Sequence, residues 1–295
     1  MKSSLYSALL HLRPAFSFLL MPVFFLALSS IQHFDSYTIT VTFILLHLLV
    51  YPASNGYNSL MDKDEGSIGG LENPPEAPPL LFPLTLVLDI SALLLTALVH
   101  PASSLLLITY IIASRLYSWR RIRIKKYPIF GFFWVIVFQG AIIYWFCLSM
   151  FQQDLNIFSQ IPLKHVAGMF LSSLMIASSY PLTQVYQHEQ DKKDGIHSIS
   201  MLLGIRGTFR FCQFVLILFS LCLFFYLLNF GRWYDIIIFL IFSLPASIHF
   251  IFWYKKIKKD VRAANYSNTM KMSIAGALGT NFFFIYLIIM NQLQL

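Results

Sequence analysis

Nine apolar stretches, each close to the length of a membrane span, occupy most of this 295-residue chain. A helix needs about 20 apolar residues to cross the hydrocarbon core of a bilayer. The predicted spans are residues 13–31, 37–57, 80–100, 101–116, 129–150, 166–186, 209–230, 236–254 and 272–292. Only 12% of the residues are charged, which is too few to cover the surface of a soluble protein of this length. We therefore predict an all-α polytopic membrane protein, a bundle of nine transmembrane helices.

The basic residues predict how these spans are oriented. With a cytoplasmic N-terminus, all but Lys164 and Arg232 of the 21 Lys and Arg residues fall in inner segments. Cytoplasmic loops are generally enriched in Lys and Arg, so we predict this orientation, with the C-terminus outside. The same topology explains the net charge of +8, and we expect the lipid bilayer, not nucleic acid, as the partner of these charges.

An internal repeat marks the inner ends of the second and sixth predicted spans. Residues 51–66, the first acidic segment, match residues 180–195, the second acidic segment, at a shift of 129 positions. The matched pairs are Tyr51-Pro52, Tyr57-Asn58, Asp62-Lys63 and Glu65-Gly66 with Tyr180-Pro181, Tyr186-Gln187, Asp191-Lys192 and Asp194-Gly195. Both spans run in the same direction, which indicates a parallel duplication. We predict one domain with halves of roughly 10–127 and 129–262, followed by the last helix at 272–292.

The spacing within each acidic segment suggests metal chemistry. An amide is followed by acidic residues at i+4 and i+7, which places all three on one face of a continuing helix. Immediately after each set comes a glycine, Gly66 or Gly195, where the helix can end. The two sets are Asn58, Asp62 and Glu65, and Gln187, Asp191 and Asp194. Such oxygen ligands suit Mg²⁺, which takes one or two carboxylates and fills its other positions with water and phosphate. Two facing sets could hold a diphosphate between metal ions; the alternative is that the acids only solvate a loop.

A basic loop, residues 117–126, joins the fourth and fifth predicted spans. Arg123 and Lys125 alternate around Ile124, so in an extended strand both would point the same way, toward a phosphate. For the other basic residues of this loop, and for the cluster from Lys255 to Arg262, we favour anchoring at lipid headgroups.

A few polar residues and three cysteines lie within the spans. Asp89 is either a functional carboxylate or one half of a structural pair. We predict interhelical hydrogen bonds for the lone polar residues Gln139, His249 and Asn281, and packing roles for Cys147, Cys212 and Cys222.

At these residues the chain resembles the UbiA family of intramembrane prenyltransferases. The family's first motif is Asn-Asp-x-x-Asp-x-x-x-Asp, which Asn58 and Asp62 match. Ser59 and Gly66 stand where the family has two further aspartates. The nearby acids that could replace them are Asp64 and Glu65.

The resemblance continues through the rest of the chain. The family's second motif is Asp-x-x-x-Asp followed by a glycine; Asp191 and Gly195 match it, Gln187 replaces the first Asp, and Glu189 is close by. The basic loop resembles the family's Tyr-Ser-x-Pro-Pro-x-Arg-x-Lys pattern, and the first span has the family's Arg-Pro pair. The matching residues are Tyr117, Ser118, Arg123, Lys125 and Arg13-Pro14, with departures at Arg120 and Arg121.

The resemblance implies Mg²⁺-dependent transfer of a prenyl group from a polyprenyl diphosphate to a small acceptor, typically an aromatic ring. The implied metal ligands are Asn58, Asp62, Asp64, Glu65, Glu189, Asp191 and Asp194. The implied diphosphate-binding residues are Arg13, Asn58, Tyr117, Arg123, Lys125 and Gln187. The implied catalytic residues are Asp62, Lys125, Tyr186 and Asp191.

Location and rival functions complete the prediction. We expect the cell (inner) membrane, with the site facing the cytoplasm, and predict no particular oligomeric state. Two alternatives stay open: a catalytically silent family member that binds isoprenoid lipid, and an ion-coupled transporter with repeated half-sites.

Overall fold

The computed structural model describes residues 2–33, 35–63, 66–152 and 161–293. Their secondary structure is helical apart from an isolated bridge between Ile68 and Leu71, which confirms the all-α prediction. The α-helices are α1 (Lys2–Leu12), α2 (Met21–Ser29), α3 (Ser36–Ile44), α4 (Tyr51–Asp62), α5 (Leu81–Val99), α6 (Ser103–Ser118), α7 (Pro128–Val135), α8 (Ile143–Phe151), α9 (Leu163–Ser179), α10 (His188–Lys193), α11 (Ile199–Phe230), α12 (Asp235–Lys259) and α13 (Tyr266–Gln292). Short 3₁₀ segments are Pro14–Leu20, Ile124–Lys126, Tyr180–Gln184 and Val261–Ala263, and π-helical segments are Leu45–Val50 and Ile136–Ile142.

Eight helical stretches of the described chain are long and apolar enough to cross a membrane. They are Ser4–Ser29, Ser36–Asp62, Leu81–Val99, Pro128–Phe151, Leu163–Gln184, Ile199–Phe230, Asp235–Lys259 and Tyr266–Gln292. Each overlaps one predicted span. The remaining predicted span, 101–116, lies on α6, whose 16 residues fall short of the about 20 that a span requires.

The first span begins earlier than predicted and contains a break. Helix α1 ends at Leu12, and Arg13 adopts a left-handed conformation with φ 47° before the 3₁₀ segment begins at Pro14. Proline cannot donate the backbone hydrogen bond that a continuing α-helix requires, so the break follows from the sequence. Arg13 therefore lies at an interruption inside the span, not at its start.

The spans pack around a continuous apolar core formed chiefly by α2, α8, α9, α11 and α13. Its fully buried aromatic residues include Phe24, Phe146, Phe219 and Phe283. The fifth and sixth predicted spans approach closely at Gly140, where a Cβ atom would lie 2.7 Å from the Cα of Ser173. Only glycine permits this contact between helices without displacing backbone.

A buried ion pair joins α5 to α6. Asp89 accepts a hydrogen bond of 3.0 Å from Arg115 Nε, and Arg115 also donates to Thr85 Oγ1 at 3.2 Å. The same guanidinium stacks over the Tyr57 ring, 4.1 Å from its centroid. This arrangement supports the structural alternative for Asp89. Because Tyr57 precedes Asn58, the pair also braces the first acidic segment.

Candidate active site

A cavity of about 380 Å³ lies among the spans. Both acidic segments and the basic loop contribute to its lining, through Asn58, Asp62, Lys125, Gln187 and Asp191. The same cavity is lined by apolar side chains that include Val23, Phe138, Leu216, Phe219 and Phe239. A few polar groups beside an apolar wall are typical of a small-molecule site, and this volume lies within the usual range.

In the first acidic segment the helix ends sooner than the sequence suggested. Helix α4 stops at Asp62, and Lys63 turns left-handed with φ 54°. The prediction of a helical face that continues through position 65 is therefore wrong, and the predicted stop at Gly66 lies four residues too late. Asp64 and Glu65 lie outside the described residues.

Arg120 explains how this helix end is held. Its Nε donates to the carbonyl of Met61, and its Nη2 donates to the carbonyl of Asp62 at 3.2 Å. Carbonyls at a helix C-terminus carry partial negative charge and attract a cation. For Arg120 the sequence favoured only a headgroup anchor, because its target lies 58 residues earlier in the chain.

In the second acidic segment a similar sequence adopts a different backbone. The 3₁₀ segment ends at Gln184, and the separate short helix α10 spans His188–Lys193. Gln187 and Asp194 flank this helix, and the Asp191 N–H donates to the Gln187 carbonyl at 2.8 Å. Gly195, at φ 69°, follows the helix, which confirms the predicted stop.

The two acidic segments contact each other through amide side chains. Gln190 Oε1 accepts a hydrogen bond of 3.0 Å from the Gly66 N–H, and Gln187 Nε2 donates to the Ser67 carbonyl at 3.4 Å. These bonds link positions 120 or more residues apart. The predicted facing of the two segments is therefore present in the fold.

Arg123 connects the two segments by charge. Its Nη2 lies 3.0 Å from Asp194 Oδ2 and 3.4 Å from Asp62 Oδ1, and its Nη1 donates to the Asp194 carbonyl at 3.1 Å. Lys125 Nζ pairs with the other carboxylate oxygen of Asp62. Asp62 is only 5% exposed, so its charge is balanced inside the protein by two cations.

The basic loop reaches this arrangement through a turn and not through an extended strand. Arg123 is left-handed, with φ 49°, and a 3₁₀ turn begins at Ile124, so the strand prediction is wrong. In the described chain, the non-glycine residues with positive φ are Arg13, Lys63 and Arg123. All three are basic and lie beside this site. Such conformations cost about 1–2 kcal/mol each and concentrate at functional sites.

Arg13 also reaches the cavity. Its Nη1 donates to the Gly69 carbonyl at 2.8 Å, and its Nη2 donates to the Asn55 carbonyl at 3.1 Å. The residue is 9% exposed and lines the cavity. These bonds hold a buried guanidinium against the first acidic segment.

Hydroxyl groups from α6 and the second acidic segment complete the polar lining. Tyr117 and Tyr180 have their hydroxyl oxygens 2.5 Å apart, and Ser118 Oγ donates to Asn58 Oδ1 at 2.7 Å. Tyr180 was not predicted as a site residue; its position in the internal repeat is the signal that could have found it. Gln184, which donates to Tyr180, carried no such signal.

The remaining predicted residues lie in different surroundings. Tyr186 lines the cavity, with its ring 5.5 Å from that of Tyr266. Glu189 is exposed on α10, apart from the cavity lining.

Of the lone polar residues within the spans, His249 makes an interhelical hydrogen bond to the Asn268 carbonyl, 3.4 Å away. Both amide atoms of Asn281 lack a hydrogen-bond partner among the described residues, so that prediction is wrong.

The residues at the polar end fit Mg²⁺ in chemistry. Asp62, Asp191, Asn58 and Gln187 bring hard oxygen atoms to one cavity. Within the described ranges no three His, Cys, Asp or Glu side chains form a metal-binding group. A Mg²⁺ ion there would therefore complete its shell with water and phosphate oxygens, as this ion commonly does.

Comparison with known proteins identifies the family of this chain. A family model described as the UbiA prenyltransferase family matches residues 18–275. The chain belongs to the UbiA family. With its apolar helices, it is an integral, multi-pass membrane protein. Comparison with curated proteins gives no significant sequence match.

Solved structures share the UbiA fold over nearly the whole chain. A structure of a UbiA homolog from Archaeoglobus fulgidus bound to GPP and Mg²⁺ is 17% identical, with a TM-score of 0.63, covering 96% of this chain and 99% of that one. The apo UbiA homolog from Aeropyrum pernix K1 is 14% identical, with a TM-score of 0.63 and coverage of 91% and 97%. A structure from work on digeranylgeranylglyceryl phosphate synthase in membranes is 19% identical, with a TM-score of 0.59 and coverage of 98% and 99%.

Proposed function

We propose that this UbiA-family protein transfers a prenyl group from a prenyl diphosphate to a small acceptor within the membrane, with Mg²⁺ as cofactor. An aromatic ring is the expected acceptor class. One observation carries the proposal: Asp62, Asp191 and Lys125 meet in a single cavity that also has an apolar wall. A prenyl diphosphate has the same two-part chemistry, a strongly anionic head and an apolar chain.

The diphosphate would bind at the end of the cavity where the charged residues converge. Arg13 and Lys125 line it, and Arg123 lies beside them against Asp62. Cationic donors fixed before the reaction favour the negative charge that develops on the leaving group. Mg²⁺ held by Asp62 and Asp191, with the amides of Asn58 and Gln187, would neutralise part of that charge.

The apolar wall suits the reacting chain. When the carbon–oxygen bond breaks, its electron pair leaves with the diphosphate and an allylic cation remains. Ring faces such as those of Phe138, Phe219 and Phe239 attract a cation in a site that excludes water. The acceptor carbon then supplies the electron pair of the new bond, and the acceptor releases a proton.

The two alternatives, an ion-coupled transporter and a catalytically silent family member, require different things of the same residues: the first a different position, the second a lack of activity. A transporter that binds its ion at repeated half-sites would place the acids near the bilayer midplane. Asp62 is instead the last residue of its helix, and Asp191 lies beyond the sixth predicted span, which favours the transferase. The charge distribution supports a site open to the cytoplasm, and we place the protein in the cell (inner) membrane. A catalytically silent family member would keep this geometry, so only a measurement of activity distinguishes it from a transferase.

The test is turnover by the purified full chain in lipid nanodiscs. Labelled prenyl diphosphates of several chain lengths are supplied with Mg²⁺, with and without aromatic acceptors. We expect diphosphate release and a prenylated acceptor, both abolished by EDTA. Lys125→Gln should lower turnover by about 100-fold. Lys126→Gln is the matched control, since that side chain stacks on Tyr127, 4.9 Å from the ring centroid. Absence of diphosphate release at every chain length would favour the silent alternative.

A further inference from the structure

Two tyrosines of the cavity wall share a short hydrogen bond. The hydroxyl oxygens of Tyr117, on α6, and Tyr180, in the second acidic segment, are 2.5 Å apart, and both residues line the cavity. Two phenols hold two hydroxyl protons, and one proton suffices for the bond between them. The second O–H has no acceptor among the hydrogen bonds of the described residues. The pair can therefore donate one hydrogen bond to a molecule in the cavity.

A neighbouring amide sets the direction of these hydrogen bonds. The backbone N–H of Ser200 donates to Gln184 Oε1 at 3.3 Å, and a backbone N–H can only donate. The amide nitrogen of Gln184 must then face the other way, where it donates to the Tyr180 hydroxyl at 2.8 Å. Since Tyr180 Oη accepts from Gln184, the two phenolic protons are left for the bond inside the pair and for the cavity.

Ser200 is itself held in place. His188 Nε2 lies 2.7 Å from its hydroxyl, and Thr208 Oγ1 lies 3.2 Å from the same oxygen. Ser200 is fully buried, and Gln184 is only 9% exposed. A continuous set of hydrogen bonds thus runs from His188 on α10 through Ser200 and Gln184 to Tyr180, and it holds the tyrosine pair in place at the cavity wall.

The pair lies at the charged end of the cavity. Ser118, adjacent to Tyr117, holds Asn58 of the first acidic segment at 2.7 Å. Asp62 and Asp191 line the same cavity as the two tyrosines. A hydroxyl donor between two acidic segments faces the place proposed for the diphosphate.

We propose that the Tyr117–Tyr180 pair donates a phenolic hydrogen bond to the diphosphate as it departs, which makes Tyr180 a catalytic residue and Gln184 its positioning residue. This inference rests on the proposed function. The hydrogen bond strengthens as negative charge grows on the leaving oxygen, so it acts on turnover more than on binding. No covalent step involves either tyrosine.

The first test removes one hydroxyl. Tyr180→Phe keeps the ring, which lies 6.5 Å from that of Phe132, and deletes the hydroxyl that Gln184 orients, so the Tyr117 hydroxyl is no longer held in the direction of the ligand. We expect kcat to fall about 10- to 100-fold, with KM for the diphosphate changed less than about threefold. Tyr226→Phe is the control, because that buried hydroxyl has no partner among the described residues and lies apart from the cavity. An unchanged kcat in Tyr180→Phe would overturn the proposal, and a change confined to KM for the acceptor would assign the pair to the acceptor instead.

A second variant reverses the direction of the bonds. In Gln184→Glu, an ionised carboxylate would accept from both Ser200 and Tyr180, so that no phenolic proton is left for the ligand. The protonated form of the new carboxyl group would still donate to Tyr180. Turnover should therefore fall as pH rises through the pKa of that carboxyl group, a step that the wild type lacks. The titratable groups facing this set are Asp62, Asp191 and His188, which are common to both proteins. Identical pH profiles would contradict the assigned direction.

A binding measurement separates this proposal from the proposed function. ³¹P NMR of bound geranyl S-thiolodiphosphate with Mg²⁺ reports hydrogen bonds to the diphosphate without turnover. We expect a shift of the bound signal in Tyr180→Phe and none in Tyr226→Phe. If the wild type proved inactive, the proposed function would fail, while this shift would still support the hydrogen bond. Equal signals in both variants would overturn it.

Discussion

The two acidic segments have matching residues and different structures. In the first, α4 runs unbroken from Tyr51 to Asp62 and ends at left-handed Lys63. In the second, a 3₁₀ segment, a turn and the short helix α10 replace it. The matched carboxylates differ as well, since Asp62 is 5% exposed and paired with Arg123 and Lys125, whereas Asp191 is only half-buried.

The tyrosines that begin the segments show the same divergence. Tyr51 is buried against Tyr110, and its hydroxyl has no partner among the described residues. Tyr180, at the matching position, lines the cavity and shares a hydrogen bond with the hydroxyl of Tyr117. A repeated pattern therefore fixes which chemical groups are available, while the packing of neighbouring helices decides how each copy uses them. The copies should respond differently to matched substitutions.

The largest effect is expected at the buried carboxylate of the first segment. Asp62→Asn removes the charge that both Arg123 and Lys125 balance, and it removes a proposed Mg²⁺ ligand. Turnover should fall by about 1,000-fold, which steady-state kinetics would measure. Asp260→Asn is the control, because that carboxylate is exposed and pairs with Arg262 alone among the described ion pairs. Near-normal turnover in Asp62→Asn would remove the first segment from the site.

The ion pair that braces the first segment should matter for stability. Asp89→Asn leaves Arg115 without its carboxylate beneath Tyr57. We expect a loss of about 3 kcal/mol, seen as a lower thermal midpoint in detergent. Turnover of the folded fraction should change less than about 10-fold, because Asp89 does not line the cavity. A large loss of turnover at unchanged stability would assign Asp89 a functional role.

The bridge between the segments is tested at Arg123. Arg123→Lys keeps the charge but loses the planar fork that reaches both Asp62 and Asp194. The value of kcat/KM for the diphosphate should fall by about 30-fold. Arg121→Lys, an exposed neighbour stacked 5.9 Å from the Trp119 ring centroid, serves as the control. Equal behaviour of the two variants would show that charge alone matters there.

The smallest effects concern how each segment ends. Gly195→Ala should destabilise by about 1 kcal/mol, because φ is 69° and nothing lies within 4 Å of the added Cβ atom. Lys63→Gly should stabilise by about 0.5 kcal/mol, since relief of a left-handed lysine exceeds the entropy that glycine adds to the unfolded chain. Thermal midpoints would measure both. Shifts of the same sign would contradict the assignment of backbone strain to Lys63.

Much of the fold and part of the candidate site could be predicted from the sequence. Span-length apolar runs and the spacing of Asn58, Asp62, Gln187 and Asp191 depend on local pattern alone. The end of the helix at Gly195 could also be predicted, because glycine adopts a positive φ without strain. These features need no knowledge of distant contacts.

The rest depends on tertiary contacts that local pattern does not encode. Left-handed Arg13, Lys63 and Arg123 are disfavoured locally and persist because surrounding bonds hold them. Neither the bonds from Arg120 to the end of α4 nor the Tyr117–Tyr180 pair, 63 residues apart, leaves a trace in the periodicity. The strand predicted at Arg123 was wrong for this reason.

The central claim is that both acidic segments act on one diphosphate. Its most direct test is Mg²⁺-dependent binding of geranyl S-thiolodiphosphate to the wild type, Asp62→Asn, Asp191→Asn and the double variant. If one ligand needs both carboxylates, the double variant should bind little more weakly than the weaker single variant. Wild-type affinity in either single variant would contradict the claim, because that carboxylate would then not act on the bound diphosphate.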